Sequence, residues 1–162
     1  MRFLERQTSL PVLGMGISTE YGAAAAPGAL DLRALRRAAP RLARFLEVGV
    51  EVSKGLDEHA VGWSAAGLPT TYHFLDVNLD EEADFAPGWL KAVDDLIGRL
   101  SPAWLCGDAG LWHFGPRDRA HMLLLPPVLT DDAADDLAAG IRRLRDATGL
   151  EVLPENPPGV AF

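Results

Sequence analysis

The sequence predicts an α/β fold, a partial TIM-like (β/α) barrel of about five parallel strands with flanking helices, not closed within the chain. Three observations carry this expectation. Short apolar runs alternate with segments of helical period. The strand candidates recur roughly every 25 to 45 residues, a spacing suited to strand–loop–helix units with decorated loops. Each such unit returns the chain to the same edge, which makes the sheet parallel. A full barrel of this kind uses about 250 residues. With 162 residues the chain is expected to stop three units before closure, leaving two sheet edges to be covered or paired.

The first strand is expected over Val12 to Ser18 (VLGMGIS), a run kept small at Gly14 and Gly16. After Ala23 to Ala26, Pro27 and Gly28, Asp31 is a helix N-cap, because its carboxylate can accept from the free N–H groups of the first turn. Leu32, Leu35 and Ala39 give that helix an apolar face, and Pro40 ends it. Phe45 to Glu51 (FLEVGVE) reads as the second strand. Asp57 to Gly67 reads as a short helix with Ala60 and Trp63 inward, and Thr71 to Leu75 as the third strand. Pro87 opens a helix whose Leu90, Val93, Leu96, Ile97 and Leu100 keep the 3.6-residue period. Pro102 separates it from a fourth strand, Ala103 to Cys106, followed by a Gly- and Pro-rich excursion from Gly107 to Leu129. Thr130 caps the next helix, with Asp131 and Asp132 at its positive end, Leu137, Ile141 and Leu144 on its apolar face, and Gly149 as C-cap. Leu150 to Leu153 is the fifth strand. No linker divides the chain, so residues 1–162 are read as one partial domain.

Composition narrows the function classes. An apolar fraction of 48% with 23% charged residues is that of a globular protein. A net charge of −8 lacks the basic footprint of a nucleic-acid binder. The acidic runs, Asp76 to Asp84 and Asp131 to Asp136, read as solvated surface. No apolar run is long enough to span a membrane, and the N-terminus lacks a secretory apolar region. The single Cys106 excludes an internal disulfide framework and fits a reducing cytoplasm.

Functional groups of such folds gather at the C-terminal ends of the strands. The polar residues expected there are Glu51, His73, Asp76, Asp108, Glu155 and Asn156, with His113 in the loop after strand four. One imidazole among carboxylates is a mixed nitrogen and oxygen donor set, suited to iron, manganese or zinc. The same carboxylates also serve as helix caps or loop solubilisers. His73, between Tyr72 and Phe74, reads by default as a core histidine bonded to a backbone carbonyl. His59 and His121 receive no role. Cys106 has no evident His or Lys neighbour to activate it and reads as a structural thiol. There is no phosphate loop, nucleophile elbow or paired CxxC, and Gly14-Met15-Gly16 is too short for a dinucleotide fingerprint.

From Leu10 to Phe162, the order LPVLGMGIS, FLEVGVEV, YHF, SPAWLCGDAGLW, LLLPPVLTDDAADDLAAGIRRL and LEVLPENPPGVAF resembles the multinuclear non-heme iron-dependent oxidases, which include the methanobactin-biosynthesis oxidase. The most specific stretch runs from Leu124 to Asn156. The resemblance implies a xylose-isomerase-like TIM barrel, two or three iron ions at its mouth, and dioxygen-dependent modification of cysteines in a ribosomally made peptide. It also implies a partner protein that presents the peptide. His73 and Glu155 stand at iron-ligand positions, Asn156 behind Glu155, and Glu51 and Asp108 at further ligand positions. Where the family has His-x-Glu-Asn after strand two, this chain has Gly49, Val50, Glu51 and Val52; where it has Asp-His after strand four, the chain has Asp108 and Ala109. The resemblance therefore implies at most a partial site: His73, Glu155, Glu51 and Asp108 as ligands, supported by Asn156 and His113. Two other readings stay open. One is a non-catalytic half-barrel that binds or assembles, with itself or a partner, through open sheet edges. The other is a divalent-metal sugar isomerase or endonuclease of the same barrel type.

Overall fold

The computed structural model describes residues 3–20, 31–115 and 124–157. Among them, five strands form one sheet in the order β1-β2-β3-β4-β5, every neighbouring pair parallel. The strands are β1 (Ile17–Glu20), β2 (Leu46–Val50), β3 (Thr70–Phe74), β4 (Leu105–Asp108) and β5 (Val152–Glu155). The helices are α1 (Phe3–Ser9), α2 (Leu32–Ala38), α3 (Glu58–Ala65), α4 (Pro87–Leu100) and α5 (Asp131–Thr148), with a 3-10 turn at Glu82–Phe85 before α4. This is the expected α/β arrangement, an open sheet consistent with part of a barrel.

Local chemistry sets the helix ends. Asp31, Asp57 and Thr130 each accept a first-turn backbone N–H, from Ala34, Ala60 and Ala133. Pro87 occupies the first turn of α4, and Gly149 closes α5 in the left-handed region at φ 71°. Alternation along the strands sorts the sheet into two faces. Leu46, Val48, Tyr72, Phe74, Leu105 and Val152 point to the helix layer, where they pack with Trp63, Trp89, Val93 and Leu144 in one buried cluster. Trp63, fully buried as expected, donates its indole N–H to Pro69 O at 2.9 Å. The opposite face carries Ser18, Glu47, Thr71, His73, Cys106, Asp108 and Glu155.

The structure moves three strands from their expected places. β1 begins at Ile17, because Gly14 has φ 87°, outside the strand region, and Gly16 lies against the Phe45 ring. β4 and β5 lie two residues further along than the apolar runs suggest. Their polar ends therefore belong to the ladder, and Asp108 pairs with Glu155. Helix α1 was not legible in the sequence; its Arg6 reaches the start of β5, with Nε 3.2 Å from Glu151 Oε1. The residues 23–28 and 121 discussed above lie outside the described residues. No described helix is long and apolar enough to cross a membrane.

Candidate metal centre

Parallel register builds the site. Gly49 pairs with His73, His73 with Cys106, and Asp108 with Glu155, so side chains from β2 to β5 share the polar face. One donor atom each from Glu47, His73, Cys106 and Glu155 falls in a group whose members all lie within 4.8 Å of one another. His73 stands at the centre. Its Nδ1 is 3.7 Å from Glu47 Oε1 and 3.9 Å from Glu155 Oε1, and its Nε2 is 3.3 Å from Asp108 Oδ2. Glu47 is fixed from its other side by the Ser18 hydroxyl, which donates at 2.8 Å. The Cys106 thiol reaches Glu47 Oε2 at 3.3 Å.

Electrostatics follow from three carboxylates around one imidazole. His73 holds the Glu47 carboxyl down to about 2, against the opposing effect of burial. Burial works to lower the basicity of His73, but Glu47, Glu155 and Asp108 outweigh it and raise it. Burial raises Glu155, partly offset by His73. The thiol of Cys106 is pushed up by burial and then by Glu47, so it is protonated and inert as a nucleophile without a metal.

This donor set could hold a metal ion. Four ligands at bond lengths of about 2.0–2.3 Å around a tetrahedral ion lie about 3.3–3.8 Å from one another. The His73 Nδ1–Glu47 Oε1 separation falls in that range, and His73–Glu155 lies just beyond it. Asp108 faces the other ring nitrogen. It is placed to accept the Nε2 proton and leave Nδ1 to face the ion, the carboxylate–histidine arrangement that orients many metal-bound imidazoles.

The other candidates lie in different surroundings. Glu51, on the same face of β2 but past its end, is buried and ion-paired to Lys54 Nζ at 2.8 Å, with Ser53 also bonded to it. Asp76 accepts from Val52 N at 2.9 Å and from the Trp89 indole at 3.3 Å, which ties two loops together. His113 belongs to a separate group with Glu81 and Asp84; its Nε2 is 2.8 Å from Asp84 Oδ2 and its Nδ1 2.8 Å from Gly115 O. Asn156 is exposed just beyond β5, and His59 is exposed on α3. Sequence reasoning passed over Glu47 and misjudged the surroundings of Cys106, which stands directly opposite His73. The available signal was the alternation in FLEVGVE, which puts a carboxylate in mid-strand on the face of Gly49 and Glu51. No protein-family model matches the sequence, and no curated protein matches it.

Proposed function

We propose that the polar face of the sheet binds one divalent transition-metal ion through His73, Glu47 and Glu155, with Asp108 orienting the imidazole. The observation that carries this reading is the convergence of these side chains from four adjacent strands within a few ångströms. Soluble-face carboxylates usually spread apart by repulsion; here they surround a histidine, and the site's charge calls for a cation.

The ion we propose is iron, and the activity is the one the sequence resemblance implies: dioxygen-dependent modification of a cysteine in a ribosomally made peptide presented by a partner protein. Bound iron would supply the redox chemistry, while His73, Glu47 and Glu155 fix its position. One ion is the expected load, since Gly49, Val52 and Ala109 stand where the resembling family has His, Asn and His. Those same three residues favour a second reading, a non-catalytic half-barrel that binds or assembles through the edges of β1 and β5.

Metal analysis of the full chain, purified and then reconstituted anaerobically with ferrous iron, tests the proposal. Retention near one ion per chain, lost in His73→Ala and Glu155→Ala, is expected. A chain that retains no transition metal, or variants that retain as much as the parent, rejects it. If metal is retained without any oxidation of a cysteine peptide, and the chain self-associates in sedimentation, the half-barrel reading takes its place.

A further inference from the structure

We propose that Cys106 is itself a ligand, its thiolate completing a four-donor set with His73, Glu47 and Glu155; this rests on the metal site proposed above. Backbone register, rather than a flexible rotamer, puts the sulfur there. Cys106 is the direct partner of His73 across β3 and β4, and both side chains leave the sheet on the polar face. Its Sγ donates to Glu47 Oε2 at 3.3 Å, and one donor atom each from Cys106, Glu47, His73 and Glu155 lie within 4.8 Å of one another. Thr71, fully buried on the same face, places its hydroxyl against the same thiol.

Binding breaks the S–H bond. The sulfur keeps the electron pair for the metal, and the proton leaves to solvent. A set of one nitrogen, one sulfur and two oxygens is softer than the nitrogen and oxygen set alone. It selects zinc, cobalt or ferrous iron and rejects magnesium and calcium.

Cobalt(II) is the probe, because thiolate coordination gives it a near-ultraviolet charge-transfer band separate from its visible ligand-field bands. Cys106 is the sole cysteine of the sequence, so such a band has one possible source. The full chain is titrated anaerobically with cobalt(II) beside Cys106→Ser and His73→Ala, each checked for folding by circular dichroism. The parent is expected to show both sets of bands. Folded Cys106→Ser is expected to keep the visible bands, lose the charge-transfer band, and bind about tenfold or more weakly. Visible bands without charge transfer in the parent, or a charge-transfer band that persists in Cys106→Ser, overturn the thiolate ligand and leave the metal site standing. No bands in the parent overturn both. If Cys106→Ser does not fold, the parent spectrum alone decides, since the charge-transfer band is either present or absent.

Discussion

A Cβ placed on Gly140 would lie 1.6 Å from the carbonyl oxygen of Leu79. Helix α5 thus rests its backbone directly on the loop that follows β3, and Gly140 is the one position along it that permits the contact at this point. In an open helix alanine would be favoured over glycine by about 1 kcal/mol. Here the obstacle is backbone, which cannot rotate aside. Gly140→Ala is expected to destabilise the protein by about 2 kcal/mol. Urea denaturation reads the difference, and an unchanged or higher midpoint would show that the helix is free to move.

Thr130 caps the same helix from its exposed end, its hydroxyl accepting from Ala133 N at 3.2 Å. Thr130→Ala removes that acceptor and leaves an N–H of the first turn to water. The expected cost is about 1 kcal/mol, while Thr130→Ser should lose only a fraction of it. Thermal melts of the two variants side by side check the order; equal losses would mean that the methyl group, not the hydroxyl, matters.

The ends of the helices were legible because they are written in adjacent residues: Asp31, Asp57, Thr130, Pro87 and Gly149 all act within one turn of themselves. Strand ends were less so. Asp108 and Glu155 are polar, yet pairing carries β4 and β5 through them, because the ladder rather than hydrophobicity sets where a strand stops. The site divides the same way. His73, Asp108 and Glu155 could be picked out as polar residues near strand ends. Glu51, at the end of strand two, and His113, in the loop after strand four, stand out as polar residues too, but Lys54 holds the first and Asp84 the second. Alternation in FLEVGVE puts Glu47 on the face of Gly49 and Glu51, but that Glu47 and Cys106 meet His73 depends on register between strands dozens of residues apart. Helix α1 is only seven residues of mixed polarity, below what periodicity can detect.

Asp84 and His113 form a buried pair that ties the loop after β3 to the loop after β4. The same carboxylate oxygen also accepts from Asn78 N at 2.7 Å, and Asn78 in turn donates to His113 O and accepts from Trp112 N. Asp84→Ala would strand a buried N–H and a buried imidazole together. The expected loss is about 3 kcal/mol. Amide hydrogen exchange should quicken at Asn78 and Trp112 before it quickens in β2. Uniform quickening across the sheet would mean that the network is part of the global core, not a tie between loops.

The pairing of Glu47 with His73 gives the metal-free protein a pH optimum whose two flanks can be assigned. Glu47 is depressed from 4.5 to about 2, so its contribution is complete above 4.5 and is lost as the pH falls toward 2. His73 is raised above 6.5, so its contribution is complete below 6.5 and is lost as the pH rises through its folded value. Glu155, also raised, chiefly by burial and then by Glu47 and Asp108, gives way in the same sense as His73 as its charge forms. Stability should therefore be greatest between 4.5 and 6.5 and fall on both sides. Glu155 erodes the plateau, and solvent screening at this half-open face limits its height. In denaturation series from about pH 3 to pH 8, His73→Gln should remove most of the alkaline fall, and Glu47→Gln most of the acid one. An alkaline flank that survives His73→Gln unchanged would place its origin in some other group. Saturating metal should flatten the alkaline flank too, because a bound cation replaces the imidazolium as the partner of the carboxylates.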